Sequence, residues 1–505
     1  MDNSPVDDKN QPSGTIQPPT YETVPVSEIP QPVQPEEVSP NVQTPEEVAG
    51  SVPPAYPTDM PPVYEESKNT FMIAAVVIAF FLAILFGFYW FFLKDRLAGL
   101  STPTSKEAVT LTYWGLWEEK EIMDPLIAAY KQKNPNVTIN YEVQAPVDYR
   151  EKLIARSKAG NGPDLYRFHN TWLPEIQEVI TSVPGEIMST DEFEQTFYPI
   201  HQRDLKIGEA YYGIPLYIDG LVLIYNNQLL QQAGIVSPPS VWVGDQNDVL
   251  TVASNLTVRN SDGTILTSGI ALGTANNVEH FSESYAMLLA LNGGNIQALQ
   301  DPEATEALQL YRKFGEDNLW NETMPNSVSA FIEGKVAMLI APSWQILAIK
   351  AQNPQLDVKV APVPKGLNDT RISVASYWVE GVNKFSKNQL ESWKFLKFLS
   401  EKEQMTKMYE AQSKVRLFGS AYSRKDLADT LKQNEYLKPV IDQAETDAYI
   451  SAPVVSRTFD NGLNDEINQY LRNAINSTVQ GVDYSTALNT AAQGISKAFE
   501  KFKIE

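Results

Sequence analysis

Tryptophans are the side chains of this sequence whose positions most clearly indicate binding chemistry. Four of the nine fall at or beside predicted strand ends or crossovers: Trp117, Trp172, Trp344 and Trp378. Flat aromatic rings stack on ligands that present faces of C–H groups, as sugars do, and nearby amides and carboxylates bind the hydroxyl rims of such ligands. In contrast, Trp393 lies within a predicted helix beside Phe395 and is expected to be a core residue.

Three polar residues join this set. Asp219 lies in the otherwise apolar run YYGIPLYIDGLVLIYNNQLLQQAGI, Tyr211–Ile235. A buried carboxylate is unfavourable without partners, so Asp219 is predicted either to contact a ligand or to cap the Asp219-Gly220 turn. Tyr217 points to the same side, and Asn170 follows a predicted strand. The predicted ligand-binding residues are Trp117, Asn170, Trp172, Tyr217, Asp219, Trp344 and Trp378.

Motifs of the common enzyme classes are missing from the sequence. It contains no HExxH, no G-x-S-x-G and no phosphate-binding GxxxxGK[ST]. The three histidines are scattered, and the absence of cysteine excludes thiolate chemistry. No catalytic residue, metal or cofactor is predicted, and a glycosidase carboxylate pair is the weakest alternative. Glu118-Glu119 is interpreted as a solvated helix start.

Alternating strands and helices must position these residues. Residues 109–169 show a β-α-β-α-β order, which predicts a parallel α/β sheet. In such sheets ligands bind beyond the carboxyl ends of the strands. Here those ends are Trp114–Glu118 and His169–Trp172, which include Trp117 and Trp172.

The run Tyr211–Ile235 resembles the first crossover of the extracellular solute-binding proteins, family 1, the substrate-binding subunits of carbohydrate-type ABC importers. Three later stretches resemble that family in the same order: Phe331–Pro342 (FIEGKVAMLIAP) before Trp344, a return crossover at Val358–Pro364, and a third crossing near Lys414–Gly419. The resemblance implies an α/β, two-lobe, periplasmic-binding-protein-like fold with hinge crossovers. Composition and hydropathy predict that this fold is preceded by a disordered tail and one transmembrane helix.

The resemblance also implies site roles and their limits. Maltodextrin-binding relatives carry a sugar-contacting glutamate where this chain has Asp219, and a ligand-facing tryptophan where it has Trp344. They also carry an Asp-Arg pair after the third strand, which this chain lacks, so maltodextrin specificity is not predicted. The third crossing lacks the usual proline, which leaves the role of Arg416 open.

The predicted organisation has four parts. Residues 1–69 form a Pro-rich acidic disordered tail, 70–93 a transmembrane helix, 94–107 a linker and 108–505 the solute-binding domain. Lobe 1 is predicted at about 108–217 and 365–415, and lobe 2 at about 221–360 and 419–505.

The tail holds 15 of the 34 prolines and three Pro-Pro-x-Tyr segments. Its low apolar content predicts disorder. It is interpreted as an acidic spacer, with docking into an aromatic groove as the alternative.

A membrane anchor is predicted at Phe71–Leu93, which contains 23 uncharged residues. Lys94, Arg96 and Lys106 follow the segment and favour a cytoplasmic C-terminal side by the positive-inside rule. Because long domains translocate largely regardless of such charges, and because the family acts outside the cell, the predicted orientation places the tail in the cytoplasm and the domain outside.

The net charge of −22 argues against a nucleic-acid partner. The resemblance predicts an extracellular protein that captures a sugar or oligosaccharide and delivers it to ABC permease subunits, and the uncharged segment Phe71–Leu93 predicts that it is anchored in the membrane. The alternative is a sensing or adhesion receptor with the same lobes that signals through the tail.

Overall fold

The computed structural model describes residues 68–90, 107–366, 369–459 and 461–504. The chain divides into two compact units, Met1–Ser101 and Thr102–Glu505. Apart from residues 68, 69 and 107, the predicted tail, its Pro-Pro-x-Tyr segments and the predicted linker lie outside the described residues.

In the first unit the described residues form the helix Lys68–Phe88. Its described side chains include exposed apolar ones such as Phe80 and Phe86. By length and hydropathy together, none of the helices among the described residues qualifies as a membrane crossing. The transmembrane helix predicted over 70–93, and the membrane anchoring inferred from it, are not supported by this finding. Residues 91–93 of the predicted span lie outside the described residues.

The strands are β1 Val109–Gly115, β2 Val137–Val143, β3 Leu165–His169, β4 Ile180–Thr181, β5 Lys206–Ile207, β6 Ala210–Tyr211, β7 Ile214–Pro215, β8 Leu221–Asn226, β9 Val258–Arg259, β10 Ile265–Thr267, β11 Met338–Pro342, β12 Val358–Ala361, β13 Ser373–Val374, β14 Trp378–Asn383 and β15 Tyr449–Ile450.

The α-helices are α1 Lys68–Phe88, α2 Lys120–Lys133, α3 Tyr149–Lys158, α4 Leu173–Ile176, α5 Thr190–Thr196, α6 Pro199–Asp204, α7 Asn227–Gln232, α8 Val249–Leu256, α9 Phe281–Leu291, α10 Pro302–Glu316, α11 Ser327–Ile332, α12 Gln345–Gln352, α13 Gln389–Leu399, α14 Lys402–Val415, α15 Ala428–Leu431, α16 Lys438–Glu445, α17 Leu463–Val479 and α18 Tyr484–Phe502. Short 3₁₀ turns cover Asn170–Trp172 and Lys425–Leu427.

Lobe 1 is built on a six-stranded sheet of order β2-β1-β3-β14-β4, with β7 also paired to β14. Strand β1 is parallel to β2 and β3, as the β-α-β-α-β pattern predicts. Strand β14 is antiparallel to β3, β4 and β7. Because β14 follows the second lobe in the chain, it enters this sheet from the opposite direction.

Lobe 2 is built on a three-stranded antiparallel sheet of order β11-β8-β12. The central strand β8 is buried along most of its length, which explains its apolar residues on both faces. Helices α17 and α18 pack against each other, and α18 also packs on α10. The sheet and these helices bury the apolar faces that the sequence pattern marks.

The chain crosses between the lobes at segments that are hydrogen-bonded to one another. The Ile218 N–H donates to the Ala421 carbonyl at 3.0 Å, and the Ser376 N–H donates to the Asp219 carbonyl at 2.9 Å. Isolated β-bridges join the same three segments. A two-lobed protein can bend at connecting segments that are few in number and lie side by side.

The return crossing lies later than predicted. The sequence places it at Val358–Pro364, but Val358–Ala361 is strand β12 of the second sheet. The chain returns at residues 375–377, between β13 and β14. A strand and a crossover show the same alternation of apolar residues in the sequence. Only the strand with which a segment pairs distinguishes the two.

Candidate functional site

A cleft of about 680 Å³ lies between the two sheets. The loop after β1 and the end of β3 line it on one side, and the turn after β11 lines it on the other. The crossing segment 217–219 and the segment 456–459 complete the lining. The cleft therefore lies at the carboxyl ends of β1 and β3, where the α/β pattern predicts a ligand site.

Aromatic rings form one wall of the cleft. Trp117 is 44% exposed, and its ring lies 5.8 Å from that of Trp378 and 6.4 Å from that of Phe459. Trp117 and Phe459 both have positive φ angles, 72° and 57°. Bulky residues rarely adopt this conformation, and strained residues cluster at functional sites.

Trp344 faces this wall from the second lobe. It lies between β11 and helix α12 and is 36% exposed. Its ring contacts that of His280 at 5.9 Å between centroids. An exposed tryptophan at the edge of a cleft is available to stack on a ligand.

The Asp219 carboxylate holds the backbone of this tryptophan. Its two oxygens accept hydrogen bonds from the N–H groups of Gly220, Ser343 and Trp344 and from the Ser343 hydroxyl, at 2.7 to 3.1 Å. The predicted alternatives were a ligand contact and a cap. The carboxylate lines the cleft, but its oxygens accept hydrogen bonds from the turn residue Gly220 and from Ser343 and Trp344, which precede α12.

Burial raises the pKa of Asp219 from its usual 3.8 to about 6, even though the hydrogen bonds from Gly220 and Ser343 act to lower it. The carboxylate is therefore ionised at neutral pH and becomes protonated in mildly acidic solution. Protonation removes charge from the group that fixes Trp344.

A buried charged cluster lies behind the lobe 1 wall. Arg167 Nε donates to Glu380 at 2.7 Å, and its Nη1 donates to the Leu116 carbonyl at 2.6 Å and pairs with Glu118. Burial alone would lower the pKa of Arg167, but the neighbouring Glu380 carboxylate raises it above its usual range. The interpretation of Glu118 as solvated is wrong, because Glu118 is 3% exposed.

Tyr217 connects this cluster to the crossing segment. Its ring lies 5.2 Å from the Arg167 guanidinium carbon, and its hydroxyl hydrogen-bonds the Met408 sulfur at 2.8 Å. The side chain is 9% exposed. Tyr217 therefore lines the cleft but makes most of its contacts with the protein.

Two predicted ligand residues lie outside the cleft lining. Trp172 is fully buried, because the turn Asn170–Trp172 directs its ring beneath Trp378, at 5.3 Å. The amide of Asn170 donates to Asp204 at 3.0 Å and to Ser451 at 2.7 Å. Asn170 lines a separate groove of about 820 Å³. Both residues follow β3, as predicted, but neither lines the cleft.

The three histidines occupy different environments. His169 lines the cleft and contacts Ser376 and Thr171 through its ring nitrogens, and burial lowers its pKa to about 3. Burial also lowers the pKa of His201 to about 3. Burial would lower the pKa of His280 too, but the adjacent Glu283 carboxylate raises it above its usual value. In the described ranges, no three His, Cys, Asp or Glu side chains are grouped as a metal site.

Several cleft residues were not identified from the sequence. Arg167, Arg416 and Phe459 line the cleft, but none was predicted to bind ligand. For Arg167 the sequence does carry a signal, because an arginine inside an apolar strand indicates a buried ion pair. Phe459 comes from a loop far along the chain, and its sequence gives no comparable signal.

Comparisons with known proteins agree with this geometry. The sequence profile of the bacterial extracellular solute-binding proteins matches residues 125–435. A binding protein of Brucella abortus is 28% identical over 286 residues, which cover 54% of this chain and 67% of that one. A maltotriose-binding protein of Pyrococcus abyssi is 23% identical over 303 residues, which cover 57% of this chain and 61% of that one.

Solved structures share the fold. The cyclo/maltodextrin-binding protein complexed with maltotetraose has a TM-score of 0.65 and 18% identity, and the match covers 79% of this chain and 99% of that one. The cyclic alpha-maltosyl-1,6-maltose binding protein of Arthrobacter globiformis has a TM-score of 0.64 and 18% identity, over 78% and 99%. These likenesses confirm the two-lobe α/β fold, and the matched relatives are binding proteins rather than enzymes, as predicted.

Proposed function

The chain belongs to the bacterial extracellular solute-binding proteins, and we propose that its domain captures a carbohydrate in the interlobe cleft and delivers it to an ABC importer. The observation that carries the proposal is that aromatic rings from both lobes line the cleft, Trp344 on one lobe and Trp117 with Trp378 on the other. Sugar rings present apolar C–H faces that pack on such surfaces.

The lining also supplies polar groups for the hydroxyl rims of a sugar. Gln345, Ser376, Ser420 and Asn326 reach the cleft, and they come from the second lobe and from the crossing segments. Ligand pockets typically combine apolar walls with a few polar groups of this kind. The named ligands of relatives, maltotriose and maltotetraose, belong to the same chemical class.

Closure of the lobes is the proposed mechanism. A ligand that contacts both Trp344 and Trp117 has more contacts when the lobes approach each other, so it shifts the equilibrium toward the closed form by its differential affinity. The hydrogen-bonded crossing segments at Ile218 and Ser376 keep the lobes aligned during this motion. The closed form is the one that permease subunits would engage outside the cell.

The test is calorimetric titration of the full-length protein with a panel of mono- and oligosaccharides, together with solution scattering. We expect saturable binding of one sugar class and a smaller radius of gyration at saturation. A folded protein that binds no saccharide of the panel would refute the carbohydrate proposal and leave the fold unchanged. Delivery is tested separately, by stimulation of the ATPase activity of a reconstituted importer with liganded protein.

A further inference from the structure

Three arginines line the cleft: Arg167, Arg416 and Arg457. Two of them are neutralised within the protein. Arg167 pairs with Glu118 and Glu380, and Arg457 pairs with Glu279 at 2.7 Å.

Arg416 differs from the other two. It follows α14 at the third crossing and is half-buried. Its Nε donates to the Phe418 carbonyl at 3.1 Å and its Nη2 to the Ser420 hydroxyl at 2.8 Å. The ion pairs found in the described part of the chain include none with Arg416. Both of its protein partners are neutral, so its positive charge has no counter-ion there.

The geometry of Arg416 is fixed and leaves donors free. Of the five N–H groups of a guanidinium, these two hydrogen bonds use two. Ser420 is itself held, because its N–H donates to Gln412 Oε1 at 2.8 Å. The remaining side of the fork can donate two parallel hydrogen bonds to a carboxylate or phosphate.

Nearby carboxylates are committed to other partners. Glu118 pairs with Arg167 and also accepts a hydrogen bond from the Gln412 amide at 3.0 Å. Asp219 accepts from the backbone of Ser343 and Trp344. Burial lowers the pKa of Arg416, while Tyr217 acts to raise it and the Arg167 charge acts to lower it. A partly desolvated cation without a counter-ion is unfavourable, and a bound anion would offset this cost.

We propose that Arg416 makes the cleft selective for saccharides that carry an anionic group, either the carboxylate of a uronate or a phosphate ester. The inference rests on the proposed carbohydrate function and specifies its ligand class. The aromatic walls bind the sugar ring, and Arg416 receives the anion. A neutral hydroxyl can also accept from Arg416, but it does not neutralise the charge.

The test compares matched ligands on the full-length protein by calorimetry: glucose with glucuronate and glucose 6-phosphate, galactose with galacturonate, and mannose with mannuronate, each also as a short oligosaccharide. We expect at least one anionic ligand to bind about tenfold or more tightly than its neutral counterpart, as for hydrogen bonds to charged groups. Preference for a uronate or for the phosphate identifies which anion is recognised.

Variants separate a charge effect from a structural one. R416Q should lose most of the preference for the anion, because it weakens binding of the anionic ligand by a larger factor than binding of the neutral sugar, while R416K should retain part of the preference. Arg259→Gln, which removes an exposed arginine that contacts only backbone carbonyls of Asp317 and Asn318, is the control and should leave the preference intact. Thermal melting of each variant verifies folding.

Two results would overturn the inference. One is that neutral sugars bind as tightly as their anionic counterparts or more tightly, a result that would still support the carbohydrate function. The other is an equal loss of affinity for neutral and anionic ligands in R416Q. Absence of binding by every saccharide, neutral or anionic, refutes the proposed function itself and is thereby distinguished from failure of the Arg416 assignment.

Discussion

Replacement of Asp219 by asparagine tests how the cleft is built. Asp219 accepts four hydrogen bonds, which favour the charged form, yet burial raises its pKa from 3.8 to about 6. The folded state therefore binds this proton more tightly than the unfolded state does. The contribution of Asp219 to the unfolding free energy is largest at a pH below its pKa in the unfolded chain. It is lost as the pH rises through its pKa in the folded protein.

The magnitude follows from the shift. One pKa unit corresponds to about 1.4 kcal/mol, so between pH 4 and pH 7 the wild type should lose about 2 to 3 kcal/mol of unfolding free energy relative to Asp219→Asn. The asparagine amide also replaces one acceptor oxygen that faces N–H donors. That penalty does not depend on pH, so it cancels when the two pH values are compared.

The assay is urea unfolding of wild type and Asp219→Asn at pH 4 and pH 7, followed by tryptophan fluorescence. Asp483→Asn is the control. The exposed Asp483 accepts hydrogen bonds from Ser485 and Thr486 at the start of α18, and these lower its pKa. Relative to Asp483→Asn, the wild type should gain unfolding free energy as the pH rises from 4 to 7, which is the opposite sign to the change expected relative to Asp219→Asn. A pH-independent difference for Asp219→Asn, or one of the Asp483 sign, would show that burial does not dominate at Asp219.

Three further predictions concern neighbouring residues. Trp344→Ala should weaken sugar binding about tenfold or more, because the exposed ring supplies stacking area, while calorimetry of Phe385→Ala, an exposed ring that does not line the cleft, should show unchanged affinity. Trp172→Ala should destabilise the fold by about 3–5 kcal/mol through a core cavity, measured by urea unfolding, and a near-zero change would contradict its burial. Arg167→Met should cost about 3–5 kcal/mol because it leaves buried carboxylates unpaired; unaltered stability would indicate that the cluster is solvated.

The sequence predicted the elements and the position of the cleft well because those depend on local pattern. Alternating apolar residues predicted β1, β2 and β3, and strand ends predicted the cleft. The positions of Trp117 and Trp344 follow from this, since each comes directly after a strand at the cleft edge.

Side-chain direction and distant pairing could not be predicted in the same way. Trp172 and Trp378 both border strand ends, but the 3₁₀ turn at Asn170–Trp172 sends one ring under the other. Arg167 is 213 residues from Glu380 in the sequence, so no local pattern predicts their ion pair. The hydrogen bonds that Asp219 accepts ahead of α12 likewise depend on Ser343, 124 residues away.

The most direct test of the central claim is a diffraction structure of the protein crystallised with the saccharide that binds most tightly. The proposed function predicts sugar density in the interlobe cleft, with one ring face on Trp344 or on the Trp117–Trp378 wall. Sugar density elsewhere, such as the groove lined by Asn170 and Asp204, with an empty cleft, would contradict it.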